Sequence, residues 1–117
     1  GLSVLLVEDE PEVLRVVQTF LAQWGCQVFA CASAEVALAA VASAPAPFDL
    51  LISDVMLGPG LRGDQLAERL RQLHSALPVL LMSGYAGEMQ SLAWPLLRKP
   101  FTREQLAEGV LRVTARS

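Results

Sequence analysis

The sequence predicts an α/β fold in which a parallel sheet lies between two helical layers. Three observations carry this expectation. Five short apolar runs alternate with longer amphipathic stretches along the 117 residues, the order of repeated β–α units. The runs are apolar throughout rather than alternating in polarity, so both of their faces must be covered. No repeat or internal linker interrupts the alternation, and the length suits one domain over residues 1–117.

Ser3 to Val7 (SVLLV) is the first predicted strand. Glu8, Asp9 and Glu10 follow it, then Pro11, and acidic residues and proline both suit the first turn of a helix. Val13, Leu14, Val17, Phe20, Leu21 and Trp24 recur at helical spacing until Gly25 stops the helix. Gln27 to Ala30 is a weaker strand, and Ser33 caps a helix from Ala34 to about Ser43, ended by Ala-Pro-Ala-Pro. Leu50 to Ser53 is the third strand, ending at Asp54. A glycine-rich loop leads to a helix from Asp64 to about His74 that buries Leu66, Leu70 and Leu73. Pro78 to Met82 is the fourth strand, ending at Ser83, and Leu96 to Arg98 the short fifth. Thr102 caps a last helix along Leu106, Val110 and Val113.

Composition narrows the function classes. Hydrophobic residues make up 53% of the chain, which favours a packed core over disorder. The most apolar stretch, Val28 to Ala44, contains Glu35 and is shorter than a membrane helix, so no membrane insertion is expected. The net charge is −3 with scattered basic residues, so direct nucleic-acid binding is not expected. No signal peptide is visible at the start, and the opening glycine fits processing or excision from a longer protein. Cys26 and Cys31 are five apart, on opposite faces of a strand, and are expected to be free packing residues in a reducing cytoplasm.

In open parallel sheets the site forms beyond the carboxyl ends of the strands. The residues there are Glu8 and Asp9, Asp54, Ser83 and Lys99. Clustered carboxylates repel unless a cation lies among them, and an all-oxygen set suits Mg²⁺ with positions left for phosphate oxygens. Lys99 is the only lysine, the other eight basic residues being arginine. Its compact ammonium can approach a single carboxylate or phosphoryl oxygen.

With these residues in view, the sequence resembles the receiver domains of response regulators and hybrid sensor histidine kinases in two-component phosphorelays. The matching pieces are VLLVEDEPEV, LLISDVML, LPVLLMSGYA and LLRKPF, in the family's order across the whole chain. The resemblance implies a flavodoxin-like, doubly wound (βα)5 fold with strand order 2-1-3-4-5. It implies that Asp54 is the phosphoacceptor, and that Asp9, Asp54 and the Met56 carbonyl ligate Mg²⁺ (or Mn²⁺), with Glu8 acting through water. Ser83 and the Gly84 backbone would bind phosphoryl oxygens, and Lys99 would pair with Asp54 and then with the phosphate. The donor would be a histidine kinase, a phosphotransfer domain or a small acyl phosphate. Met56 and Tyr85 would shape water access, and their bulk implies slow self-dephosphorylation. The protein would catalyse its own phosphorylation and dephosphorylation rather than turn over a separate substrate. A cytoplasmic location is expected, alone or as the cytoplasmic part of a membrane-bound sensor kinase; an output domain or protein would act downstream, and oligomeric state is left open.

Three departures from the family stand out. The usual aromatic switch position is Leu96, which has no ring to swing towards Ser83. The stretch from Ser83 to Lys99 is short and contains GYAGEMQSLAWP, so the fourth helix is expected to be short, distorted or absent. The loop VMLGPGLRG lacks the commoner Met-Pro pair and is similar to receivers of hybrid kinases, favouring a relay or sink role.

Rival readings are weaker. Gly58, Gly60 and Gly63 spell the dinucleotide-binding G-x-G-x-x-G, but Pro59 interrupts it and no acidic residue ends the next strand; a flexible loop whose glycines permit positive φ explains them better. A degenerate receiver that binds partners without phosphorylation is the main alternative, opposed by the complete acidic, hydroxyl and lysine set. A phosphatase with an aspartyl nucleophile would need a second acid where Met56 stands. His74 reads as solvated, Trp24 and Trp94 as packing residues, and Asp49 as structural.

Overall fold

Why the apolar runs become strands is visible in the sheet they build. In this computed structural model, which describes residues 2–43, 48–84 and 94–115, they are Ser3–Val7 (β1), Gln27–Cys31 (β2), Leu50–Asp54 (β3), Val79–Ser83 (β4) and Leu96–Arg98 (β5). All neighbours pair in parallel, in the order β2-β1-β3-β4-β5. Every residue of β3 and β4 is buried, as the unbroken apolar runs require.

Four helices are present among the described residues: Pro11–Gln23 (α1), Ala34–Ser43 (α2), Gly63–Leu73 (α3) and Arg103–Thr114 (α4). Pro11 opens α1 after an extended Glu10, and Gly25, at φ 83°, follows its end. Thr102 caps α4 reciprocally: its Oγ1 accepts from the Gln105 N–H at 3.0 Å, and its own N–H donates to Gln105 Oε1 at 2.9 Å.

The two faces of the sheet carry separate cores. Leu5, Val7, Leu51, Val79 and Leu81 pack with α2 and α3 through Ala34, Ala37, Leu66 and Leu70. Val4, Leu6, Ile52, Leu80 and Met82 pack with α1 and α4 through Val17, Leu21, Leu106, Val110 and Val113. The fold class and strand order are therefore those expected. Cys31 lies in the first core and Cys26 against the second, both free.

Some local expectations are corrected. Leu73 is not buried but 66% exposed, because α3 ends there; Leu77, in the connection to β4, is buried instead. Cys26 precedes β2 rather than lying in it, α3 begins one residue early at Gly63, and β4 begins at Val79. Asp49 is structural, accepting the Ser3 N–H at 2.8 Å. The expected short, distorted or absent helix between β4 and β5 falls on residues 85–93, outside the described residues.

Candidate functional site

Parallel strands all present their carboxyl ends at one edge, so each strand delivers its next residue to the same rim. Beyond β1, the Glu8 N–H donates to the Cys31 carbonyl at 3.0 Å, continuing the ladder and keeping Glu8 inside. Asp9 and Glu10 emerge into solvent. At the end of β3, Asp54 is 5% exposed; at the end of β4, Ser83 is buried. Beyond β5, the Lys99 N–H donates to the Ser83 carbonyl at 2.8 Å, which fixes where the lysine side chain starts.

From there the Lys99 ammonium reaches across the rim. It donates to Glu8 Oε1 at 2.9 Å and pairs with Asp54 Oδ2 at 3.2 Å, with Glu10 Oε1 further off at 3.8 Å. The lysine thus pairs with Asp54, but its shortest contact is to Glu8. Glu8, Asp9 and Asp54 each offer an oxygen within 4.8 Å of the others. Three carboxylates and one ammonium leave excess negative charge in a partly buried site. Hard oxygen donors in that arrangement fit a divalent cation such as Mg²⁺.

The charges disturb one another. Burial pushes the Glu8 carboxyl up from 4.5 to about 7, aided by the Asp54 charge and opposed by the Lys99 hydrogen bond. Burial also raises Asp54, against the pull of Lys99. For Lys99, burial works against the ammonium, but bonds to Glu8 and Asp54 outweigh it and its pKa is raised. Glu8, Asp54 and Lys99 therefore hold their protons more tightly than the same groups do in water.

A cleft of about 490 Å³ opens above this cluster, lined by Asp9, Glu10, Asp54, Met56, Gly58, Gly84 and Lys99. Met56 is 45% exposed within it. Its rim is shaped by the loop after β3, where Gly58 and Gly60 have φ of 76° and 100°; Gly63, grouped with them in the sequence, lies instead in α3 without a positive φ.

The sequence matches the response regulator receiver domain family over residues 4–111. The chain belongs to that family. It is a receiver domain of two-component signal transduction, and its relatives include both sensor kinases and regulators. It is 35% identical over 122 residues to the sensor histidine kinase GacS of Pseudomonas protegens, covering 95% of this chain and 13% of that protein. It is 37% identical over 116 residues to the response regulator protein FleR of Pseudomonas aeruginosa, covering 94% of this chain and 24% of that one. The receiver therefore spans about an eighth to a quarter of these relatives' lengths. Among solved structures, a response regulator receiver protein from Sinorhizobium medicae superposes with a TM-score of 0.89 at 28% identity, over 98% of this chain and 95% of that one. A response regulator from Chloroflexus aurantiacus gives 0.83 at 31% identity, over 99% of both chains.

The receiver's rim brings together Glu8, Asp9, Asp54, Ser83, Gly84 and Lys99, with Met56 beside them. Tyr85 lies outside the described residues. Leu96 pairs with Leu81 in the sheet and packs on the α2–α3 core, beside Trp94. No helix among the described residues is long and apolar enough to cross a membrane. Two contributors escaped the sequence reading. Gly63 approaches Asp54 so closely that a Cβ there would collide with the Asp54 carbonyl oxygen. Glu35 accepts the Leu61 N–H at 3.2 Å. A glycine at the first position of α3 was the available signal for the former; the latter had none in the sequence.

Proposed function

We propose that this receiver accepts a phosphoryl group on Asp54 in a Mg²⁺-dependent transfer from a phosphohistidine donor or a small acyl phosphate. The observation that carries the reading is the Lys99 ammonium 3.2 Å from a nearly buried Asp54 carboxylate, beside two further acids and beneath an open cleft. An Asp54 oxygen would attack phosphorus in line, forming an O–P bond as the N–P bond of the donor imidazole breaks and the ring leaves with a proton. Lys99 neutralises charge on the transferring group and stays paired with the product. Ser83 and the Gly84 backbone would take phosphoryl oxygens. Glu8 holds the ammonium from behind and would reach the cation through water, while Asp9, Asp54 and the Met56 carbonyl would ligate it. Bound Mg²⁺ would screen the acids and the transferring phosphoryl oxygens from one another.

The half-exposed Met56 narrows water access, which supports slow self-dephosphorylation. The location would be cytoplasmic, with a histidine kinase or phosphotransfer domain as partner and an output domain or protein downstream. Incubation with acetyl phosphate and Mg²⁺ should add one phosphoryl group to the wild type and none to Asp54→Asn, by intact mass. Hydroxylamine should remove it, as it does an acyl phosphate. An unmodified wild type, or equal modification of the variant, would refute the reading.

A further inference from the structure

We propose that Glu35 is a positioning residue for the phosphoacceptor site: from α2 its carboxylate holds the β3–α3 loop, whose Gly58 lines the cleft together with Asp9 and Met56. The inference rests on the phosphoacceptor reading, since it concerns that same site.

The loop needs an outside hold. Gly58 and Gly60 lie at positive φ, and glycine has more backbone freedom to lose than any other residue. The base of the loop is secured by Leu57, which is buried, and by the Gly63 N–H donating to the Val55 carbonyl at 2.8 Å. Between these anchors lies the Gly-Pro-Gly turn, and Glu35 meets it twice. Its Oε2 accepts the Leu61 N–H at 3.2 Å, across 26 residues of sequence. The same oxygen lies 2.8 Å from where a Cβ on Gly60 would stand, so the turn passes directly against the carboxylate. At the other end of the turn, a Cβ on Gly58 would lie 3.4 Å from Asp9 Oδ2. One carboxylate thus restrains a turn whose far end, at Gly58, lines the same cleft as the proposed cation ligands Asp9 and Met56. Ser33 caps the same helix by accepting the Val36 N–H at 3.2 Å, so the start of α2 is capped without Glu35 and its carboxylate is left to the loop.

The test compares wild type, Glu35→Ala and Glu35→Gln, the last keeping an acceptor oxygen. Mg²⁺ alone is titrated by calorimetry, and phosphorylation by acetyl phosphate is timed at saturating Mg²⁺. Exchange of the Leu61 amide is followed in metal-free protein. Glu35→Ala should bind Mg²⁺ about three- to tenfold more weakly, the worth of one hydrogen bond, while its rate at saturating Mg²⁺ stays within about twofold of wild type. Its Leu61 amide should exchange faster, and Glu35→Gln should restore both affinity and protection. A merely structural role would not give this split between affinity and rate, nor the rescue by glutamine. Wild-type affinity in Glu35→Ala, or equal weakening in both variants, overturns the inference alone. A wild type that binds no Mg²⁺ overturns the phosphoacceptor reading together with it.

Discussion

Glu8 has no exposed surface, yet it accepts from both the Lys99 ammonium and the Glu10 N–H. Two hydrogen bonds do not offset the cost of taking its charge out of water, so the neutral form is favoured up to about pH 7. The sign of the consequence follows from linkage. Between about 4.5 and 7 the folded protein keeps a proton that the unfolded chain has released, so this group's contribution to stability falls as pH rises through that window. Glu8→Gln carries the neutral shape at every pH. In metal-free buffer its stability relative to wild type should improve from pH 5 to pH 8 by on the order of 2 kcal/mol, read from paired thermal melts. A constant or shrinking difference would show that Glu8 does not titrate there. In the sequence Glu8 and Asp9 are equivalent neighbours. The ladder bond from the Glu8 N–H to Cys31 separates them, burying one and exposing the other.

At the scale of elements, the β3–α3 connection concentrates the constraints. Gly63 opens α3 with its α-carbon against the backbone of Asp54. Backbone cannot rotate aside as a side chain can, so Gly63→Ala should cost about 2–4 kcal/mol and lower Tm by roughly 10 °C. Gly109, inside α4, is a useful contrast. A Cβ there would meet only the Leu80 side chain, at 3.2 Å. That flexible neighbour can give way, and alanine favours the helix, so Gly109→Ala should stay within about 1 kcal/mol of wild type. Equal losses in the two variants would contradict this distinction between backbone and side-chain neighbours. Helix and strand identities were legible because their apolar spacing is a local property. The placement of Leu73 was not: helical period put it on the buried face, but α3 ends there and Leu77 is buried in the connection instead. Periodicity does not report where an element stops covering the sheet.

For the whole molecule, folding builds the site: the acids converge when β1 pairs with β3, and Lys99 reaches them only once β4 and β5 are in place. A cation bound by the folded chain alone must stabilise it by mass action, about 2.7 kcal/mol at a hundredfold excess over Kd. Mg²⁺ should therefore raise the Tm of the wild type in a concentration-dependent way, and Asp9→Asn should lose most of that rise. An unchanged Tm in the wild type at millimolar Mg²⁺ would contradict cation binding by these carboxylates. The alternating apolar and amphipathic runs already specified the α/β class, the covered central strands β3 and β4 (edge strand β2 is partly exposed) and the candidates Glu8, Asp9, Asp54, Ser83 and Lys99, since each sits at or just beyond the end of a strand and parallel strands end on one edge. What the chain order could not express is contact across it: Lys99 bonded to Glu8 more closely than to Asp54, Gly63 pressed on the Asp54 carbonyl, and Glu35 tied to Leu61. Those distances depend on how layers separated by tens of residues settle against one another, and no local pattern of hydrophobicity encodes that.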